Sequence, residues 1–186
     1  MNLNKKIFVW DYLASYKKDK KNILNVVNKV FNSGQLVLGN EVKNFENNFA
    51  KYVNCKYGIG VNSGTDALQI ALMSIGVKKN DEIITVSNTA VPTVSAIVSC
   101  GAIPIYVDVN ENDYLINTSL IEEKITKKTR AIIAVNLYGQ SCDYEKINKI
   151  AEKYKIKVIE DCAQSTGSMY KNKPSGSFGD LSAFSF

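Results

Sequence analysis

The stretch that decides the fold is Asp81 to Val109, "DEIITVSNTAVPTVSAIVSCGAIPIYVDV". Two runs of largely β-branched residues, "DEIITV" and "IPIYVDV", flank "PTVSAIVSC", whose apolar residues recur at helical spacing and whose Pro92 suits a first helical turn. Near-continuous Val and Ile, in place of alternation with polar residues, marks strands buried on both faces. That is the habit of a parallel sheet with helices laid over it.

Working outward, the same pattern continues on both sides. Downstream, "SLIEEKI" is predicted as a helix, "RAIIAVN" as a strand, "DYEKINKIAEKY" as a helix with Asp143 as its N-cap, and "KVIED" as a strand. Upstream, "YGIGV" is predicted as a short strand and "GTDALQIALMSIG" as a helix ending near Gly76. Residues 22–31 and 41–53 carry helical spacing on either side of "SGQLVLG", a loop punctuated by Gly34 and Gly39. The closing "GSFGDLSAFSF" alternates Ser with Phe and reads as a buried strand. The fold class expected is α/β, a mostly parallel sheet flanked by helices. Residues 1–56 form an N-terminal helical segment and loop, and 57–186 the α/β layer.

Composition narrows the chemistry. The 186 residues are 45% hydrophobic and 22% charged, enough apolar material for a core. The net charge of +5 comes from scattered lysines, with Arg130 the lone arginine, and the dense run Lys17 to Lys21 reads as a solvated helix face. There is no histidine, which removes Ser-His-Asp and Cys-His catalysis and takes away the commonest metal ligand. Cys55, Cys100, Cys142 and Cys162 form no C-x-x-C pair and are expected to be small buried hydrophobes. With neither a signal peptide nor an apolar run of membrane-spanning length, a cytoplasmic location is expected.

Ligands of such sheets collect beyond the carboxyl ends of the strands. The first such segment, "GIGVNSGTDAL", has glycines at 58, 60 and 64, one residue too long for a dinucleotide fingerprint, and Asp81 and Glu82 precede a strand instead of ending one. A nicotinamide-dependent oxidoreductase thus rests on the strand–helix alternation alone. "NSGT" opens a helix, whose N-terminus suits a phosphate: Gly64 permits close approach and Thr65 offers a hydroxyl. The plainer alternative is a helix cap by Ser63 or Thr65. In "KVIEDCAQSTG", Asp161 ends a buried strand and needs a partner, either a protonated heterocyclic nitrogen, the next turn or a lysine. Gln164 can present its amide to the same ligand. In "VSNTAVPT", Asn88 and Ala90 are placed to cover a bound ring, and in "VNLYGQSCD" Tyr138 is expected to pack within its turn.

A phosphate-holding helix end, a carboxylate for a ring nitrogen and a neighbouring amide form one constellation, a pyridoxal phosphate pocket. The chain resembles the DegT/DnrJ/EryC1/StrS family of nucleotide-sugar aminotransferases, which have the aspartate-aminotransferase-like fold (fold type I). The motifs that carry the resemblance run in order: "GQLVLGNEVKNFENNFAKYV", "VNSGTDALQIAL", "DEIITVSNTAVPTVSAI", "GAIPIYVDV", "VNLYGQSCDYEKINKIA", "VIEDCAQSTG" and "GSFGDLSAFSF".

The resemblance implies that Gly64, Thr65 and Ser185 hold the cofactor phosphate. By the same likeness Asp161 pairs with the pyridine nitrogen and Gln164 sits beside the ring's phenolic oxygen. Many relatives place an aromatic ring at the position of Ala90, so Asn88 or Ala90 is left to cover that face here. The substrates implied are an amino-acid donor, glutamate being expected, and a nucleotide-linked keto sugar, with a lean toward a dTDP-linked 3-keto-6-deoxyhexose. The partner implied is a second copy of the chain, as a homodimer. In the family the last motif continues a few positions beyond Phe186 to the Schiff-base lysine. The chain is therefore expected to be the N-terminal part of a family member and inactive alone. Two alternatives are a pyridoxamine-phosphate-dependent sugar dehydratase of the same family and a non-catalytic or split-enzyme fragment.

Overall fold

The structure, a computed structural model, describes residues 11–186, so the first ten residues of the expected N-terminal segment lie outside the described residues. Two compact units divide the chain, residues 1–45 and 46–186. In the first, α1 (Tyr12–Ser33) starts at Asp11, whose carboxylate accepts from the Ala14 N–H, and ends at Gly34 in the left-handed region, φ 68°. The basic run Lys17 to Lys21 is exposed along this helix. The division falls within α2 (Asn40–Tyr52).

The second unit is built on a five-stranded parallel sheet: β1 (Glu82–Val86), β2 (Ile103–Val107), β3 (Thr129–Val135), β4 (Lys157–Asp161) and, after the small β5 (Met169–Tyr170) and β6 (Lys173–Pro174), β7 (Leu181–Ala183). The order across the sheet is β2-β1-β3-β4-β7, every neighbour parallel. Three helices pack on it: α3 (Gly64–Ser74) against α4, β4 and β7, α4 (Val91–Ser99) against β2, and α5 (Tyr144–Tyr154) against β4. Ile83, Ile84, Ile132, Ile133 and Ile159 are fully buried, and this explains the apolar runs: both faces of the central strands are covered. Asp143 caps α5, accepting from the Lys146 N–H, as its sequence position predicts.

Four expectations are corrected. "YGIGV" is extended but is no strand; Tyr57 and Ile59 are exposed, and among the described residues nothing pairs with its backbone as a ladder. "SLIEEKI" forms two 3₁₀ turns, Thr118–Leu120 and Glu122–Lys124, around the buried Ile121, with Leu120 and Ile125 packed beside it on the core. The final strand stops at Ala183; beyond it Phe184 packs edge-on against Phe49 of α2, ring centroids 4.9 Å apart, and Phe186 is exposed. Of the cysteines, Cys142 and Cys162 are buried, whereas Cys55 and Cys100 are half-buried.

The segment between β4 and β7 is fixed from two sides. Lys171 and Asn172, both at positive φ, make the two-residue turn of the β5–β6 hairpin. Phe178 stacks on Tyr144 of α5 at 5.0 Å, and the Tyr170 hydroxyl donates to Asp143. On the opposite side, the fully buried Glu160 carboxylate accepts three backbone N–H groups: Gly176 at 2.8 Å, Phe178 at 2.6 Å and Gly179 at 2.8 Å.

Candidate active site

The strand order creates the site. From β1 the chain passes through α4 outward to β2, whereas from β3 it passes through α5 to β4 on the other side, so β1 and β3 are neighbours whose connections leave in opposite directions. Such a switch point opens a crevice at the carboxyl ends of the strands. A cavity of about 140 Å³ lies there, within the second unit, lined by Ser63, Gly64 and Thr65 before and in α3, Thr89, Ala90, Pro92 and Thr93 at the start of α4, Val135 and Leu137 at and after the end of β3, Asp161, Ala163 and Gln164 at and after the end of β4, and Ser185.

At one wall, α3 begins. Ser63 is its N-cap: its hydroxyl accepts from the Asp66 N–H at 3.1 Å and donates to the Asp66 carboxylate at 2.8 Å. The capping alternative therefore holds for Ser63 but not for Thr65, whose hydroxyl makes no hydrogen bond among the described residues. The Gly64 and Thr65 N–H groups likewise have no acceptor there, as expected of the first helical turn. Gly64 must be small: a Cβ there would lie 2.9 Å from the Ser185 Cβ and 3.3 Å from its Oγ. That contact brings the Ser185 hydroxyl beside the helix end, so two hydroxyls and the free N–H groups of one turn face a common space. The donor set suits a phosphate.

Across the cavity, Asp161 ends β4 with its side chain buried. Its Oδ1 accepts from the Ala163 N–H at 3.2 Å, the turn-capping alternative, and its Oδ2 accepts from the Thr93 hydroxyl at 2.7 Å. No lysine or arginine pairs with it among the described residues. Burial pushes its carboxyl above the ordinary carboxylate value, while the two donors pull the other way. A protonated ring nitrogen would supply the missing cation.

Gln164 points its Oε1 at the Tyr138 N–H, 3.1 Å away. A backbone N–H can only donate, so the amide oxygen is committed and its NH2 end is the one left for a ligand. Tyr138 sits at φ 55°, ψ 25°, in the left-handed region, with its ring 69% exposed. The expectation that Tyr138 packs within the turn is thereby corrected: Gly139, at φ 80°, makes the turn, and the ring turns outward.

Five of the six expected site residues, Gly64, Thr65, Asp161, Gln164 and Ser185, come together. Asn88 does not line the cavity; its amide donates to the Tyr114 carbonyl at 3.4 Å, and Thr89 and Ala90 take the wall instead. Two residues escaped the sequence reading. Thr93 carried no signal beyond lying in a helix, and Glu160 reads as the neighbour of Asp161 although it faces the opposite side of the sheet. No lysine lines the cavity among the described residues.

Comparison with solved structures places the fold. The chain superposes with a TM-score of 0.92 on Streptomyces venezuelae DesV in complex with a ketimine intermediate, at 35% identity, covering 95% of this chain and 47% of that one. With a DegT DnrJ EryC1 StrS aminotransferase from Brucella abortus the TM-score is 0.90 at 32% identity, covering 97% and 50%. The fold is thus that of the fold-type-I aminotransferases, a mostly parallel sheet flanked by helices.

Residues 17–186 match the DegT/DnrJ/EryC1/StrS aminotransferase family, and the chain belongs to it. Among curated relatives, the dTDP-3-amino-3,4,6-trideoxy-alpha-D-glucose transaminase of Micromonospora megalomicea subsp. nigra is 45% identical over 179 residues, 96% of this chain and 48% of the relative. The dTDP-3-amino-3,6-dideoxy-alpha-D-galactopyranose transaminase of Aneurinibacillus thermoaerophilus is 48% identical over 167 residues, 90% and 46%. The chain spans about half the length of the curated relatives it matches. No helix among the described residues is long and apolar enough to cross a membrane.

Proposed function

We propose that this chain is the cofactor-binding part, residues 57–186, and the N-terminal segment of a pyridoxal-phosphate-dependent aminotransferase. It moves an amino group from an amino acid, glutamate being the expected donor, to a nucleotide-linked keto sugar. A dTDP-linked 3-keto-6-deoxyhexose is the favoured acceptor, on the strength of the two dTDP-amino-sugar transaminases that it resembles. The observation that carries the reading is the meeting, at one switch-point cavity, of a buried carboxylate without a cation, an amide NH2 without an acceptor, and a helix end with the Thr65 and Ser185 hydroxyls beside it, both unengaged among the described residues.

Pyridoxal phosphate, when bound, supplies an electron sink for the carbon that gains or loses the amino group. The residues of this chain do the rest of the holding. Gly64 and Thr65, with Ser185, take the phosphate on the first turn of α3 and fix one end of the ligand. Asp161 keeps a proton on the ring nitrogen, the charge state in which the ring withdraws electrons. Gln164 donates its amide proton beside the ring oxygen, and Thr89 and Ala90 form the wall on one side. With no lysine on the cavity wall among the described residues, the 186-residue chain alone binds cofactor reversibly and turns over no substrate. The whole enzyme acts as a homodimer.

The test uses pyridoxamine phosphate, which needs no lysine. Equilibrium dialysis against the chain should show saturable retention, and Asp161→Asn should weaken it at least about tenfold, since the partner of a charged ring nitrogen is lost. Equal retention by Asp161→Asn, or retention of NADH in place of the vitamin, would overturn the assignment.

A further inference from the structure

Asp161 does not stand alone at the cavity floor. The Thr93 hydroxyl, 1% exposed on the first turn of α4, lies 2.7 Å from its Oδ2, and the Thr89 hydroxyl lies 2.8 Å from that of Thr93. A threonine has one hydroxyl proton. An ionised carboxylate only accepts, so Thr93 spends its proton on Asp161 and must itself accept from Thr89. The order of donation is Thr89 to Thr93 to Asp161, and each bond in such a chain polarises the next. The geometry is local: Thr89 precedes the Ala90 N-cap of α4, Thr93 lies on its first turn four residues on, and Pro92 between them holds the start of the helix.

The surroundings leave Thr93 as the side-chain donor to the carboxylate among the described residues. The cavity wall contributes Ser63, Thr65, Thr89, Thr93 and Ser185 hydroxyls and the apolar Leu68, Val135 and Leu137; Asp161 is its one ionisable group. Outside the wall, Glu160 is committed to the opposite side of the sheet and Cys162 is a buried thiol. One side-chain donor and one backbone donor therefore hold Asp161 where a ring nitrogen would meet it.

We infer that Thr93, backed by Thr89, is a positioning residue for Asp161: its hydroxyl fixes the carboxylate as an acceptor for a protonated ring nitrogen. The inference rests on the pyridoxal-type reading of the cavity and adds to it a residue pair that acts through Asp161.

The test compares the chain with Thr93→Val, which keeps the shape and removes the hydroxyl, and with Thr93→Ser, which keeps the hydroxyl. Retention of pyridoxamine phosphate should fall about tenfold in Thr93→Val, the order expected for one hydrogen bond to a charged group, and return most of the way in Thr93→Ser. The ring-nitrogen 15N resonance of labelled pyridoxamine phosphate should sit at the protonated position in the wild type and Thr93→Ser and move toward the neutral position in Thr93→Val. A role in packing alone would leave that resonance in place. Thr89→Val, farther from the carboxylate, should move the same signals by less and serves if Thr93→Val fails to fold. Wild-type retention that Asp161→Asn abolishes, but that Thr93→Val and Thr89→Val leave unchanged, overturns the inference and leaves the pocket reading standing. No retention by the wild type overturns both.

Discussion

Replacing Glu160 by glutamine asks how much one buried carboxylate contributes to holding the second unit together. In the native chain, Oε1 accepts from Phe178 and Gly179, and Oε2 from Gly176. Glutamine keeps a single oxygen. Its best placement retains Phe178 and Gly179 and turns the amide NH2 toward the Gly176 N–H, two donors face to face. The buried N–H left without an acceptor costs about 1–3 kcal/mol, and each of the two surviving bonds loses about 1 kcal/mol with the charge. The lower desolvation cost of an amide offsets part of this, so a net loss of about 3 kcal/mol is expected. For a chain of this size that corresponds to a melting temperature lower by roughly 6–12 °C. Urea unfolding followed by far-ultraviolet circular dichroism measures the loss. Cys55, whose thiol donates to the Gly176 carbonyl at 3.0 Å, should be alkylated faster in Glu160→Gln, because the same turn loosens. A loss under about 1 kcal/mol with unchanged Cys55 labelling would refute the account of the turn.

Other substitutions test other parts. Gly176→Ala places a Cβ 2.5 Å from the Phe184 ring at φ 96°, so it should destabilise by about 2–4 kcal/mol in the same urea assay. Gly64→Ala should behave differently: the nearest neighbours of its Cβ belong to the Phe184–Ser185 segment past β7, so the melt should change by less than about 1 kcal/mol while pyridoxamine phosphate retention falls. Burial pushes the Cys142 thiol up from 9.0 to about 12, so the folded state favours its proton; stability from this group is complete below pH 9 and is lost as pH rises from there toward about 12, measurable as a falling denaturation midpoint. At pH 8, Cys142 and Cys162 should resist iodoacetamide, react only after unfolding, and so be distinguished by mass spectrometry from Cys55 and Cys100.

The parts of the fold that could be read in advance are those where burial imposes a period. β1, β3 and β4 are covered on both faces and show as apolar runs, and α5 shows its buried Ile147, Ile150 and Ala151 at helical spacing. What misled was apolar sequence without a partner. Tyr57 and Ile59 alternate like a strand, but alternation says nothing about whether another backbone lies alongside. The candidate residues Asp161 and Gln164 were legible because they follow β4, at the carboxyl end of a parallel sheet where backbone ends and helix starts converge; Gly64 and Thr65 were legible from the helix start alone. Thr93 was not, since its importance comes from an oxygen 68 positions away in the chain. Of the two residues left to cover the ring face, Ala90 lines the cavity and Asn88 does not, and only the start of α4 decides which of them reaches it.

The contact between Gly64 and Ser185 has a consequence for assembly. It joins the first turn of α3 to Ser185, two residues past β7, so the proposed phosphate cradle forms only once β7 has paired alongside β4. A ligand spanning both sides acts as a clasp. By mass action it stabilises the closed form by about 2.7 kcal/mol at a hundred times its dissociation constant. Chains that misplace β7 cannot take it up. On the proposed reading, uptake of pyridoxamine phosphate thereby reports that β7 has taken its place in the sheet.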